Sequence, residues 1–525
     1  GIGTMHDYDA IVIGSGSGGL TAALAMARAG RRVVVFEQHA LAGGYSQTFT
    51  AGGFRFSPGI HYVGALGPGG GLRRIYEGLG VANDLVFLEL NPDGYDHVVV
   101  GDARFDIPKG KDRFAARLKE RFPAETAGID RYFDLVGRML DELGFAAPIH
   151  SLGEAATMAV HMPTVLLHGL RPLSHFLDGC TADPLLRAIL SIQAGDHGMA
   201  PSRAPTALHA GLQGYYFDGG CYPRGGGQAI PEALVRQIGV HGGTVVLSTE
   251  VDRILIEHAA AVGVRLADGR EVRADIVVSN ADPGVTWGRL VPPDQVGWAL
   301  RRRIRRMRYS VSTLSLFLAV DMDLRAAGVD SGNIWYSRTT DIDAVYAFAE
   351  RRQLTGSEII PGLFFNATTL KDPSLRQDGL HTVEAMTLSS MDAFAPWKDT
   401  VPGKRPQEYA HLKAQLTERI LDAVECFVPG LRERTVFRAL GTPLTNAHFL
   451  HATGGGIYGT EKTLGNLGPF GFSVETHIRG LYQCGASTLA PGINGVTHSG
   501  LSAAAAALGC SRDDLLTATG QTLRI

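Results

Sequence analysis

Tyr8-Asp-Ala-Ile-Val-Ile-Gly14-Ser-Gly16-Ser17-Gly18-Gly19-Leu20-Thr-Ala-Ala-Leu-Ala-Met-Ala-Arg28 is the stretch that decides the fold. Its opening is an apolar run ending in glycine, the pattern of a buried strand. Residues 20–28 are good helix formers, and Gly30 ends the helix they predict. Arg32-Val-Val-Val-Phe-Glu37 then reads as a second apolar strand with an acid at its end. Strand, Gly-x-Gly-x-x-Gly turn, helix and strand make the β-α-β unit that binds a dinucleotide. Gly14 permits the turn, Gly16 lets backbone N–H groups reach a pyrophosphate, and Gly19 lets the helix close on the strand. Ser17 and Gly18 stand where the helix N-terminus supplies partial positive charge. Glu37, followed by Gln38, is placed to hydrogen-bond two ribose hydroxyls, and its charge disfavours a 2′-phosphate.

The unit alone does not choose between FAD and NAD; the next residues do. Gly43-Gly44-Tyr45-Ser46 follows the second strand directly, and a second glycine pair there suits a long ligand such as FAD. No second fingerprint occurs, so a permanent NAD(P) domain is not expected and the electron donor or acceptor stays open. Residues 249–254, 261–266 and 271–273 read as strands, with an Asp268-Gly269 turn before the last of them. Residues 275–281 hold another buried strand, and 480–485 a final one ending at Gly485. Ala486-Ser487-Thr-Leu-Ala-Pro491-Gly492-Ile-Asn-Gly495-Val496-Thr-His498-Ser-Gly500 leads from it into an alanine-rich helix predicted over 501–508.

Composition narrows the function classes. With 49 Lys+Arg against 52 Asp+Glu, a net charge of −3 gives no electrostatic argument for nucleic acid. At 45% hydrophobic and 19% charged, a chain of 525 residues buries a large core, and two or more domains are expected. Its 67 glycines fall in tight groups with no collagen period. Cys180, Cys221, Cys426, Cys484 and Cys510 are far apart and lack zinc-site spacing, so neither metal nor disulfide is expected. They read as reduced thiols of a cytoplasmic chain, whose first strand begins too soon after Met5 for a signal peptide. Residues 155–170 and 480–511 are too interrupted by polar residues and proline to span a bilayer.

A β-α-β unit, a long insert, and a closing strand and helix resemble the FAD-dependent amine oxidase and phytoene desaturase superfamily. Within it the chain looks most like the carotenoid desaturase, carotenoid isomerase and retinol saturase branch. The likeness rests on Gly53-Phe-Arg-Phe-Ser-Pro-Gly59-Ile-His61-Tyr-Val-Gly64, Gly219-Gly-Cys-Tyr-Pro223-Arg-Gly-Gly-Gly-Gln228, Gly455-Gly456-Ile-Tyr458-Gly459 and Pro491-Gly-Ile-Asn-Gly-Val496. It implies an α/β fold: a Rossmann-type FAD-binding domain (5–90, 215–300 and 470–525) with a discontinuous substrate domain of mixed antiparallel sheet plus helices. Residues 91–214 would form its helical, membrane-facing part and 301–469 its mixed sheet. The implied cofactor contacts include Val251, Asn280, Gly485, Ala486, Ser487, Gly495 and Val496, with 492–496 against the flavin ring and the following helix aimed at it. Two departures stand out: many relatives have arginine where Tyr45 stands and an acid where Ala486 stands, which leaves Ser487 and backbone N–H groups to serve.

Residues 155–177 are apolar and studded with histidine; helical core is the favoured reading, over a substrate tunnel or a helix dipping into the membrane interface. Six arginines between 298 and 308 read as a solvated helix end rather than a lipid-headgroup site. The resemblance implies hydride transfer between FAD and a carbon–carbon bond of a long hydrophobic polyene, a carotenoid, retinoid or isoprenoid-like lipid. The enzyme would be a saturase or desaturase; a cis-trans isomerase and a non-catalytic prenyl-lipid carrier are the alternatives. An amine oxidase is disfavoured because its aromatic cage cannot be located. His61 is the first candidate for a chemical role, as proton donor, stacking group or backbone partner, ahead of His197, Tyr222 and His498. The expected location is cytoplasmic, with peripheral contact to the inner membrane face.

Overall fold

The computed structural model describes residues 6–144, 146, 151–450, 459–467, 471–488 and 492–525. Its nucleotide-binding part is a five-stranded parallel sheet in the order Leu481–Gln483, Ile276–Ser279, Ala10–Ile13, Val33–Phe36, Thr244–Val246. The strands Ala10–Ile13 and Val33–Phe36 are fully buried runs of Ala, Val, Ile and Phe, which is why their sequence does not alternate. Helix Ser17–Arg28 covers one face, and helix Gly492–Leu508 packs on it through Leu20, Leu24, Leu501 and Ala504 of one apolar cluster. Val251–Glu257, Ala260–Leu266 and Glu271–Arg273 form a small antiparallel sheet beside it.

The second sheet has seven strands, in the order Thr435–Gly441, Ser312–Val320, His381–Ser389, Gly362–Ala367, Asn333–Ser337, Asp96–Val100, Ala103–Ile107. All neighbours are antiparallel except Asn333–Ser337 and Asp96–Val100. Helix Gln407–Glu425 backs one face through Leu412, Leu416 and Ile420. Helices Lys111–Arg121, Thr126–Leu143 and Thr206–Tyr216 share a separate apolar cluster that includes Phe114, Phe133 and Ala210.

Two expectations need correction. Residues 96–107, assigned from sequence to the helical segment, are the last two strands of the large sheet, because Asp96–Val100 finds its partner in Asn333–Ser337. The C-terminal helix starts at Gly492, not near 501, so residues 492–496 are its first turn. Within 155–177 the core reading holds for Met162, Val165, Leu173, Phe176 and Leu177, yet Val160 is 77% and Leu167 59% exposed. Helix Trp298–Arg306 carries its arginines at the surface, with Arg303 over the Phe472 ring at 3.9 Å. Among the described residues no helix is long and apolar enough to cross a membrane, no cysteine is paired, and no cluster of ligating side chains could hold a metal.

Candidate active site

The glycines of the first turn are fixed by what lies against them. Gly14 sits at φ +93°, open to glycine without strain. A Cβ on Gly19 would stand 2.3 Å from the Gly14 carbonyl oxygen, and on Gly16 2.6 Å from Asn280 Nδ2. On Gly18 it would meet Asn280 Oδ1 at 2.9 Å and the Val496 carbonyl at 3.0 Å. Three segments hundreds of residues apart therefore converge on one loop: the first turn, Asn280 after its strand, and the opening of the C-terminal helix. Gly500 completes the contact, since its Cβ would lie 2.1 Å from the Gly18 carbonyl oxygen.

Around this loop stand the other residues that the sequence proposes as cofactor contacts. The Glu37 carboxylate is buried and accepts hydrogen bonds from Ser15 Oγ (2.7 Å), Ser15 N (3.2 Å) and His39 N (3.2 Å). Gln38 is exposed at the strand end. Gly43 N donates to the Ser15 carbonyl at 3.0 Å, Gly44 lies against Gly16, and Ser17 and Ser46 hydroxyls are 3.4 Å apart. Tyr45 is pinned by its backbone: a Cβ on Gly59 would fall 1.6 Å from its carbonyl oxygen. Val251 is buried at the head of its strand in one cluster with Phe36. Gly485 N donates to the Ser499 hydroxyl oxygen at 2.7 Å, Ser487 Oγ accepts from Thr460 N at 3.0 Å, and Gly495 is buried in the helix start. Glycines at which no side chain fits, next to a helix N-terminus and a buried acid, are a cradle that fits the FAD pyrophosphate and ribose. When bound, FAD supplies two-electron hydride chemistry.

Sequence reasoning missed a lysine here. Lys462 is 1% exposed, and its ammonium donates to the carbonyl of Ala486. Burial pushes it down to about 7. A cation thus reaches this loop from elsewhere in the chain, although arginine is absent at Tyr45.

The large sheet, the turn Ile192–Asp196 and the helix Asp343–Ala349 line an apolar cavity. Its walls include Ile192, Trp335, Phe364 and Leu388, and His61 and Asp196 bring an imidazole and a carboxyl group to it. His61 Nδ1 lies 3.3 Å from Glu384 Oε2 and 3.3 Å from Asn366 Nδ2, its ring packs 5.0 Å from Phe364, and its buried Nε2 has no hydrogen-bond partner. The carbonyl of His61 takes the ammonium of Lys371, which also donates to Asn333 Oδ1 at 2.6 Å. Asn333 Nδ2 in turn donates to Asp96 Oδ1 at 2.9 Å, and Gln193 Nε2 to Asp96 Oδ2 at 2.6 Å.

The other histidines go elsewhere. His197 accepts at Nδ1 from Met199 N, so its Nε2–H donates to His209 Nδ1 (3.2 Å), and His209 Nε2–H to the Leu190 carbonyl (2.8 Å). Burial lowers both, His209 to about 4, so the pair is a neutral structural chain. Asp196 and His197, adjacent in sequence, have separate partners, and the chain turns there at the end of the 3-10 helix Ile192–Asp196. His498 faces Arg512 over a separate cavity lined by Gly71 and Arg74. Tyr222 is buried with its ring 5.6 Å from Lys371 Nζ. Residues 451–458 and 489–491, which carry parts of the Gly455 and Pro491 segments, lie outside the described residues.

A glycine cradle shared between a β-α-β unit and a distant helix, in a chain that also holds a sheet-lined apolar cavity, defines an FAD-dependent oxidoreductase. The chain belongs to the flavin containing amine oxidoreductase family, whose pattern matches residues 17–508. It is 30% identical over 524 residues to an all-trans-retinol 13,14-reductase of Danio rerio, covering 94% of this chain and 85% of that protein. A chloroplastic prolycopene isomerase of Arabidopsis thaliana is 27% identical over 515 residues, covering 95% and 83%. Among solved structures, putrescine oxidase shares the fold with a TM-score of 0.63 at 16% identity, over 96% of this chain and 99% of that one.

Proposed function

We propose that the chain is a saturase: it adds two hydrogens across one carbon–carbon double bond of a long hydrophobic polyene, a retinoid or carotenoid-like lipid. The observation that carries this reading is the apolar cavity into which, among the described residues, His61 and Asp196 bring the only imidazole and carboxyl groups. Such a wall takes a hydrocarbon chain and offers proton donors at one place. The retinol 13,14-reductases at 30% identity support the same direction. The residues proposed to hold FAD are Gly14, Gly16, Ser17, Gly18, Gly19, Glu37, Gln38, Gly43, Gly44, Tyr45, Ser46, Val251, Asn280, Gly485, Ala486, Ser487, Gly495 and Val496. Leu152 (91% exposed), Val160, Leu166 and Leu167 offer an apolar surface for peripheral contact with a lipid membrane.

A second reading, isomerisation without net redox change, draws on the prolycopene isomerases, which are 27% identical and cover 94–95% of the chain. The carrier alternative is disfavoured by the intact glycine cradle. The test is anaerobic: the purified, reduced flavoprotein is mixed with retinol, phytoene and a poly-cis carotenoid, and products are weighed. A product two hydrogens heavier with flavin reoxidised supports the saturase. An unchanged mass with altered retention supports the isomerase, and no change with either reduced or oxidised protein refutes the polyene reading.

A further inference from the structure

Behind the cavity lies a polar cluster too unbalanced in charge to be only a structural brace. Three carboxylates, Glu384, Asp96 and Asp196, surround the single ammonium of Lys371. Glu384 is 1%, Asp96 0% and Lys371 3% exposed, so water does not neutralise them. Glu384 faces His61, and Lys371 is tied to Asp96 through Asn333, while among the described residues Asp196 makes no ion pair and shares Lys371 only as a neighbouring charge. Two ionised carboxylates this close in a dry interior repel strongly, and the cluster relieves that by keeping a proton.

Hydrogen-bond counting says where the proton sits. Tyr62 Oη lies 3.1 Å from Asp96 Oδ2 and in hydrogen-bond contact with Asp196 Oδ2. A phenol carries one hydrogen and cannot donate to both. Asp96 already accepts from Asn333 and Gln193, groups that favour its ionised form. The consistent arrangement has Tyr62 donating to Asp96 and a protonated Asp196 donating to Tyr62. Asp196 is also the member of the cluster that, with part of its surface open, lines the apolar cavity.

We propose that Asp196, held as a neutral acid by Tyr62 and Asp96, is the proton donor to the substrate double bond. The inference rests on the saturase reading above. The π bond breaks and two C–H bonds form: one carbon takes the Asp196 proton, the other a hydride equivalent from the reduced cofactor. Asp196 ends as a carboxylate, the reductant ends oxidised by two electrons, and Tyr62 and Asp96 form the path by which the proton is replaced. Burial, then the neighbouring Asp96, raises Asp196 far above the carboxylate range, and burial raises Asp96 to about 6.

The test uses the holoprotein and two readouts. In infrared spectra at pH 7, wild type shows a protonated-carboxyl stretch that Asp196→Asn lacks and Glu384→Gln retains. In single-turnover reduction of whichever polyene the wild type accepts, Asp196→Asn slows product formation by about 10²–10⁴-fold with flavin content and spectrum unchanged. In multiple-turnover runs Tyr62→Phe, which leaves burial and Asp96 to keep Asp196 protonated, slows the second turnover more than the first. A wild-type rate in Asp196→Asn, or a carboxyl band that survives in it, overturns the proposal. If the wild type reduces no polyene, the saturase reading fails, and the infrared arm still decides whether Asp196 holds the proton.

Discussion

Gly500→Ala tests whether the far end of the chain builds the nucleotide cradle. The added methyl would stand 2.1 Å from the Gly18 carbonyl oxygen and 2.9 Å from its carbon. A carbon–oxygen contact tolerates about 3.3 Å, so the helix Gly492–Leu508 must retreat by roughly 1 Å or distort. Both atoms are backbone, so no side-chain rotation relieves the clash. Overpacking of this kind costs about 1–3 kcal/mol. Because the same helix start carries Gly495 and Val496, proposed above to contact FAD, the strain is expected in binding as well as in folding. Expressed as affinity, 1–3 kcal/mol is about 5- to 150-fold. The assay is FAD titration of deflavinated protein by fluorescence quenching, with thermal unfolding of both forms alongside. A Gly500→Ala variant that binds FAD within about twofold of wild type and melts at the same temperature refutes the argument that this helix is seated on Gly18.

Other predictions concern charge and thiols. His97 lies between Asp106 (2.6 Å) and Asp330 (2.8 Å), and although burial opposes its charge, these carboxylates raise it to about 9. That stability is complete below the ordinary histidine range and is lost as pH rises through about 9; Asp330→Asn therefore costs about 1–3 kcal/mol at pH 6, and a loss that does not shrink above pH 9 in urea melts refutes it. Lys462 ionises at about 7 when folded against 10.5 unfolded, so the folded state sheds a proton the unfolded chain keeps, and stability rises between those pH values. Lys462→Met reduces that rise, the remainder belonging to Lys371, and an unaltered pH slope counts against the buried-cation account. Thiol titration of the native protein labels Cys426 first and Cys510 more slowly, while Cys180, Cys221 and Cys484 react only on unfolding; early labelling of Cys484 contradicts the packing.

What can be read from sequence is local. The β-α-β unit announces itself because apolar runs, glycines and the terminal acid all lie within the first forty or so residues. His61 is legible because its segment carries a glycine-rich pattern. The helix start at Gly492 is not, since Gly, Asn, Thr and Ser there disfavour helix and its packing against Gly18 is a property of the folded chain. Strand Asp96–Val100 shows its apolar run, but its pairing with Asn333–Ser337 is a property of the folded chain. The charge cluster is invisible for the same reason: Tyr62, Asp96, Asp196, Lys371 and Glu384 stand on five separate segments, and no spacing rule links them. Lys371 and Lys462 read as ordinary surface lysines until their burial is known.

The interleaved order of the parallel sheet also sets a timetable for biosynthesis. Leu20 and Leu24 project from the first helix toward Leu501 and Ala504, which the ribosome makes about 480 residues later. At about 5–20 residues per second, that apolar face waits on the order of a minute before its cover is synthesised. Throughout that interval the nascent nucleotide unit exposes apolar surface that favours aggregation, and codon or temperature changes that lengthen it would raise the insoluble fraction without altering one contact of the finished protein.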